Sequence, residues 1–216
     1  MSTLVEQAVA TPVQDAEPTI LVVACGAVAR EVLAVIRLNG WRHVDVRCLP
    51  ASLHNEPRAI AGAVDGMLRE AASGYDAVFV AYADCGTAGA LDEVLDEHGV
   101  ERLPGAHCYA FYAGRSAWDE LHDEEPGTFY LTDFLARHFD ALVLRGLGLD
   151  RHPELRDDIF GNYRRLVYLA QTDDPVLLER AEGAAERLGL AFELRRTGLG
   201  ELQTTLTGFV EGRRSA

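Results

Sequence analysis

Three cysteines and two histidines, Cys25, His54, Cys85, His107 and Cys108, stand in the short segments ACGAVARE, LPASLHNEP, YADCGTAGALD and GAHCYAFYAG. Thiolate sulfur and imidazole nitrogen are the donors that zinc and iron–sulfur clusters prefer. Brought to one point, three thiolates would repel one another strongly unless a cation or cluster absorbed their charge. Three Cys with one His fit a closed zinc site, whereas three Cys with an open fourth position fit a catalytic zinc or a cluster with one exchangeable iron. The sequence leaves that choice open. Cys25 and Cys85 are each followed by Gly, which lets a bound group approach the backbone closely. Each also lies where a strand should give way to a helix, which predicts a thiolate favoured by the helix dipole and a lowered pKa. A metal-free alternative pairs Cys25 with Cys85 as a redox couple. Cys48, in register with Val44 and Val46, reads as an ordinary core cysteine.

Other residues could serve a cofactor. Asp84 and Gly86 flank Cys85, where Asp84 orients a ligand or caps the next helix. Asp150 and His152 follow the glycine-rich GLGLD, and Asn162 and Tyr163 precede Arg164 and Arg165, as an anion clamp or a plain folded corner. CGAVARE has one Gly where the dinucleotide fingerprint needs three, so a standard NAD enzyme is disfavoured. His43, His98, His122 and His138 are given no role.

None of these thiols has a Cys-x-x-Cys neighbour, so only the fold can assemble them. Residues 19–24, 43–49, 76–83, 141–146, 165–171 and 191–196 read as strands, with a further short strand or loop ending near His107-Cys108. Amphipathic helical patterns lie between most of them. The clearest begins at Asp174-Pro175 and stops at Gly189. GTFYLTDFLARHF reads as a turn followed by a helix from about Thr132. Parallel strands need crossover helices, so this alternation predicts a Rossmann-like, doubly wound α/β fold: a mostly parallel sheet with helices on both faces. Ligands bind such sheets beyond the carboxyl ends of the strands. Cys25, His54, Cys85 and His107-Cys108 would all fall there. A single domain is expected over residues 19–207, between flexible tails at 1–18 and 208–216.

With 34 acidic and 20 basic side chains the formal charge is −14. No basic cluster is visible along the chain, so neither nucleic acid nor an anionic membrane is an expected partner. No apolar run reaches the roughly 20 residues of a spanning helix. The opening stretch lacks the basic start and apolar core of a secretory signal, so a cytoplasmic protein with reduced thiols is expected.

The segments named above, with GTFYLTDFLARHFD, GLGLDRHPELRDDIFGNYRRLVYLAQT and the closing TGLGEL, resemble the family called domain of unknown function 1638, DUF1638, from about residue 19 to 207. The family's Cys and His-Cys positions match Cys25, Cys85, His107 and Cys108, and Cys48 lies outside its motifs. Similar proteins can have Gly where Ala83 stands here. The resemblance implies an association with corrinoid-dependent methyltransferases for methylated amines, and so with one-carbon metabolism. The expectation is therefore a zinc- or iron–sulfur-binding protein, a metal-dependent methyltransferase-type enzyme acting with a small molecule or a corrinoid protein. Alternatives are an accessory or chaperone module delivering a metal, cluster or corrinoid to a methyltransferase, and a metal-free thiol redox protein.

Overall fold

Strand β1 (Ile20–Cys25) is apolar and β-branched on both faces, and Ile20 to Ala24 are all buried. That is the composition of an interior strand in a parallel sheet. In the structure, a computed structural model describing residues 18–214, β1 pairs in parallel with β2 (Val44–Leu49) and β3 (Ala77–Ala81), Ile20 lying opposite Val44 and Ala77. A two-residue strand, β4 (Glu101–Arg102), completes the order β2-β1-β3-β4. Helices α1 (Ala29–Asn39), α2 (Pro57–Ala71) and α3 (Ala90–His98) make the crossovers.

A second parallel sheet has the order β5-β6-β7, from Thr128–Thr132, Arg165–Ala170 and Ala191–Arg196. The chain reaches it through α4 (Cys108–Ala113) and α5 (Arg115–Glu124). Between its strands lie α6 (Asp133–Phe139), a π-helical turn at Asp140–Arg145, α7 (Leu155–Phe160) and α8 (Pro175–Leu188). The α8 start matches its sequence signals: the Asp174 carboxylate accepts from the Val176 N–H at 2.9 Å, Pro175 opens the helix, and Gly189 ends it at φ 72°. Helix α9 (Gly200–Arg214) joins the two sheets, since its buried Leu202, Leu206 and Val210 share one apolar core with Ile20 and Val22 of β1 and Val167 and Leu169 of β6.

The fold is α/β and Rossmann-like, with its parallel strands divided between sheets of four and three. Three local expectations need correction. Residues 141–146 are not a strand; they belong to the π-helical turn, and only Val143 of that turn is buried. A short apolar run carries no period long enough to tell a strand from a helical turn. Residues 128–132, expected as a turn, form β5, whose pairing is led in by the Arg164 N–H donating to the Gly127 carbonyl at 2.7 Å. The short strand or loop expected to end near His107-Cys108 is the two-residue β4 and the loop after it, and Cys108 begins α4. The tail expected from residue 208 is the last part of α9, held by buried Phe209 and Val210. The tail expected over residues 1–18 lies outside the described residues but for Pro18. Among the described residues no helix is long and apolar enough to cross a membrane.

Candidate functional site

The order β2-β1-β3 means that the chain leaves β1 toward one side and β3 toward the other, which opens a crevice at their carboxyl ends. Cys25 is the last residue of β1, and its sulfur accepts from the Ala27 N–H at 3.4 Å. His54 enters from the 3-10 turn at Ala51–Asn55 that follows β2. His107 and Cys108 arrive at the start of α4.

Cys85 is held in an unusual way. Its φ is 51°, a left-handed conformation that costs an L-residue about 1–2 kcal/mol. Asp84 stabilises the turn: its carboxylate accepts from the N–H groups of Gly86, Ala88 and Gly89 at 3.1, 3.3 and 3.0 Å, and from the Thr87 hydroxyl at 2.7 Å. The Cys85 N–H donates to the Ala106 carbonyl at 2.8 Å, which ties this turn to the segment bearing His107. Ala88, three residues on, shares this left-handed conformation at φ 53°.

Cys25, Cys85, Cys108, His54 and His107 line one cavity of about 290 Å3, walled by Tyr82, Tyr109 and Phe111. Burial pushes the Cys25 thiol up, only partly offset by the Ala27 N–H and the Tyr82 hydroxyl. Burial, then the neighbouring Cys25, raises Cys85 to about 11. Cys108 stands well above its ordinary range through burial and then through Cys85 and Cys25. All three thiols are thus within electrostatic reach of one another. The expectation of helix-lowered thiol pKa values is overturned, because desolvation outweighs the backbone N–H groups. Burial also lowers His54, with His107 adding to it, and lowers His107, opposed by Asp84 and assisted by His122. The cavity therefore offers thiols and neutral imidazoles at neutral pH. The buried Tyr82 hydroxyl lies near enough to Cys25 to favour its thiolate but has no partner at hydrogen-bond distance among the described residues.

The donor set suits a soft metal or a cluster. Ligands of one zinc, each about 2.3 Å from it, must lie within about 4 Å of one another. Among the described residues no three His, Cys, Asp or Glu side chains converge in that way. In a cluster each cysteine binds a different iron, so its ligands stand further apart, as around one cavity of this size.

Of the other sequence candidates, Gly86 lines the cavity and Asp84 shapes the turn beside it. Asp150 and His152 lie elsewhere, on the loop after the π-helical turn; His152 pairs with Glu154 at 3.2 Å, and Asp150 stands 4.0 Å from Arg151. Asn162 and Tyr163 form the corner before β6, where the Tyr163 ring meets Phe160 at 5.3 Å and Phe129 at 6.2 Å. Tyr163 reaches the site only electrostatically, through Tyr109. Arg164 and Arg165 are engaged internally, Arg165 with Glu124, Glu193 and the Leu121 carbonyl, so the corner reading holds over the anion clamp. Cys48 is exposed on edge strand β2 instead of lying in the core. Sequence reasoning missed Tyr82, Tyr109 and Phe111, although each lies within three residues of a site cysteine, in AYADC and CYAF.

A family model for a protein of unknown function, DUF1638, matches residues 48–206. The chain belongs to the DUF1638 family. In this DUF1638 member the matched region includes His54, Cys85, His107 and Cys108 and begins beyond Cys25. No curated protein matches it. Among solved structures, ornithine carbamoyltransferase from Pyrococcus furiosus is 13% identical with a TM-score of 0.25, over 82% of this chain and 54% of that one. The chain thus spans about half the length of that enzyme, and so low a score carries no argument about this DUF1638 member.

Proposed function

We propose that the crevice is a metal-centre site in which Cys25, Cys85 and Cys108 bind an iron–sulfur cluster, with His107 or His54 beside the remaining position. The observation that carries this reading is three thiols from separate segments meeting at one cavity, with Cys25 raising Cys85 and both raising Cys108, and with Cys85 held there in a left-handed conformation. Metal-free, these thiols stay protonated and inert. Coordination would remove that penalty, since a bound cation reverses the local charge balance. Each cysteine of a cluster binds a different iron, and three thiols lining one cavity support that arrangement.

A cluster held by three cysteines would supply a Lewis-acidic iron with an exchangeable position. The chain's own residues do the rest. The Tyr82 hydroxyl stands beside Cys25 as a donor to its thiolate, neutral His54 and His107 face the same space, and Tyr109 and Phe111 exclude water. The family resemblance supplies the context, a role beside corrinoid-dependent methyl transfer, either in turnover or in delivering the group to a methyltransferase.

The test is anaerobic reconstitution with ferrous iron and sulfide, read by absorption spectrum and by iron, sulfide and zinc content. Stoichiometric iron and sulfide that are lost in Cys85→Ser and kept in Cys48→Ser would support the reading. Stoichiometric zinc without iron would overturn the cluster, and protein that takes up neither would overturn the metal centre and leave a thiol pair.

A further inference from the structure

All 20 Lys or Arg positions of this acidic chain are arginine. Four of them, Arg137, Arg145, Arg180 and Arg187, line the cavity of about 500 Å3 between α6 with its π-helical turn and α8. The α8 wall is a single helical face, in which Arg180, Gly183, Ala184 and Arg187 follow the i, i+3, i+4, i+7 pattern. Arginines therefore stand at both ends of that face, and its middle is cut back to Gly and Ala. A Cβ built on Gly183 would meet nothing within 4 Å, so the floor is open space.

Of the four guanidinium groups, Arg187 has an ion-pair partner, Asp140, and also covers the Phe139 ring. Arg180 donates to the Arg137 carbonyl at 3.3 Å. Arg137, Arg145 and Arg180 have no carboxylate at ion-pair distance among the described residues, and buried Glu31 feels Arg137 electrostatically. With Asp140 counted, the lining carries three net positive charges, from four arginines less one aspartate. His138, on the same lining, registers that field: burial and then Arg137, Arg30 and Arg180 hold its pKa down. The helix also changes here from α to π winding, at His138 with φ −114° and ψ 18°, an irregularity that often accompanies binding sites.

We infer that this cavity binds a small phosphorylated molecule, one carrying at least two phosphate charges. Guanidinium forks match phosphate oxygens in pairs, and four arginines on one lining exceed what the single carboxylate of Asp140 can use. A cavity of this size admits a nucleoside phosphate or a comparable metabolite. The formal charge of −14 repels an extended polyanion, while a small one inside the cavity feels chiefly the charges within a Debye length of about 8 Å. This assignment is independent of the thiol crevice.

The test is calorimetric titration at pH 7 and low salt with inorganic pyrophosphate and ADP, alongside acetate at matched ionic strength. Micromolar binding of either phosphate compound and none of acetate is expected. The double variant Arg145→Gln/Arg180→Gln should weaken it about 100-fold, and Gly183→Leu, which fills the floor without changing charge, should abolish it. Arg42→Gln, remote from the cavity, should leave affinity unchanged, and circular dichroism would establish that each variant is folded. Absence of binding, equal affinity in the folded double variant, or tighter binding of a short DNA or RNA duplex than of pyrophosphate would overturn the inference.

Discussion

The chemistry of the crevice makes a quantitative prediction about thiol labelling in the metal-free protein. With Cys85 at about 11 against an ordinary value of 9.0, its thiolate fraction at pH 8 is about one in a thousand instead of about one in ten. The deficit is about 100-fold. A more basic thiolate is also more nucleophilic, with a Brønsted slope of about 0.4–0.5, and that restores nearly a factor of ten. Cys85 should therefore react with an aromatic disulfide reagent about tenfold more slowly than an unfolded-chain thiol, before any shielding by the cavity walls. Cys25 and Cys108, raised by the same burial, belong to the same slow class. Cys48 is raised by burial too, but it is exposed on edge strand β2 and should react faster than these three. A stopped-flow trace at pH 8 should show one fast equivalent, missing in Cys48→Ser, and three slow ones. The slow rate should climb about tenfold per pH unit to about pH 11, which shielding alone would not produce. Three or four fast equivalents, or a slow rate that levels off near pH 9, would contradict the argument that burial controls these thiols.

Two further outcomes concern stability. Below pH 9 Cys85 is protonated whether folded or unfolded; above it the unfolded chain releases the proton first, so stability falls until the pH passes about 11. Denaturant melts of the metal-free protein should lose about 3 kcal/mol across that window from Cys85, and Cys85→Ser should flatten the decline. Buried Asp133 accepts from the Tyr168 hydroxyl at 2.7 Å, the Gln171 N–H at 3.0 Å and the Thr172 hydroxyl at 2.5 Å. Asp133→Ala strands these donors and should cost about 3–5 kcal/mol by urea denaturation, and a loss below 1 kcal/mol would mean that water reaches them.

The strands legible in the sequence were those whose apolar runs end in clear punctuation, such as β1 before Cys25-Gly26 and β6 ahead of the Asp174-Pro175 start. The carboxyl-end rule then brings Cys25 and Cys85 to one crevice, which Cys108 also lines, from the start of α4. Residues 141–146 escaped because a six-residue apolar run has no readable period, and β5 because Gly127 suggested a turn where it begins a ladder. The thiol pKa direction was misjudged for a different reason: a helix start can be read from a sequence, whereas the depth of burial that outweighs it is set by the aromatic walls. The arginine cavity was invisible for the same kind of reason. Its residues come from two helices some forty positions apart, and each arginine looks isolated within acidic surroundings.

The π-helical turn has a thermodynamic consequence. Asp140, Ala141 and Arg145 border the arginine cavity, while the carbonyl of Leu142 accepts from the Asn55 side chain at 3.1 Å, next door to His54 in the thiol crevice. Gly146 closes this joint, since a Cβ there would press on the Leu142 carbonyl and the Asn55 amide. A six-residue segment thus borders one chamber and is hydrogen-bonded to the residue beside the other. Were an occupant of one chamber to change the affinity of the other, the second would change the first by the same factor.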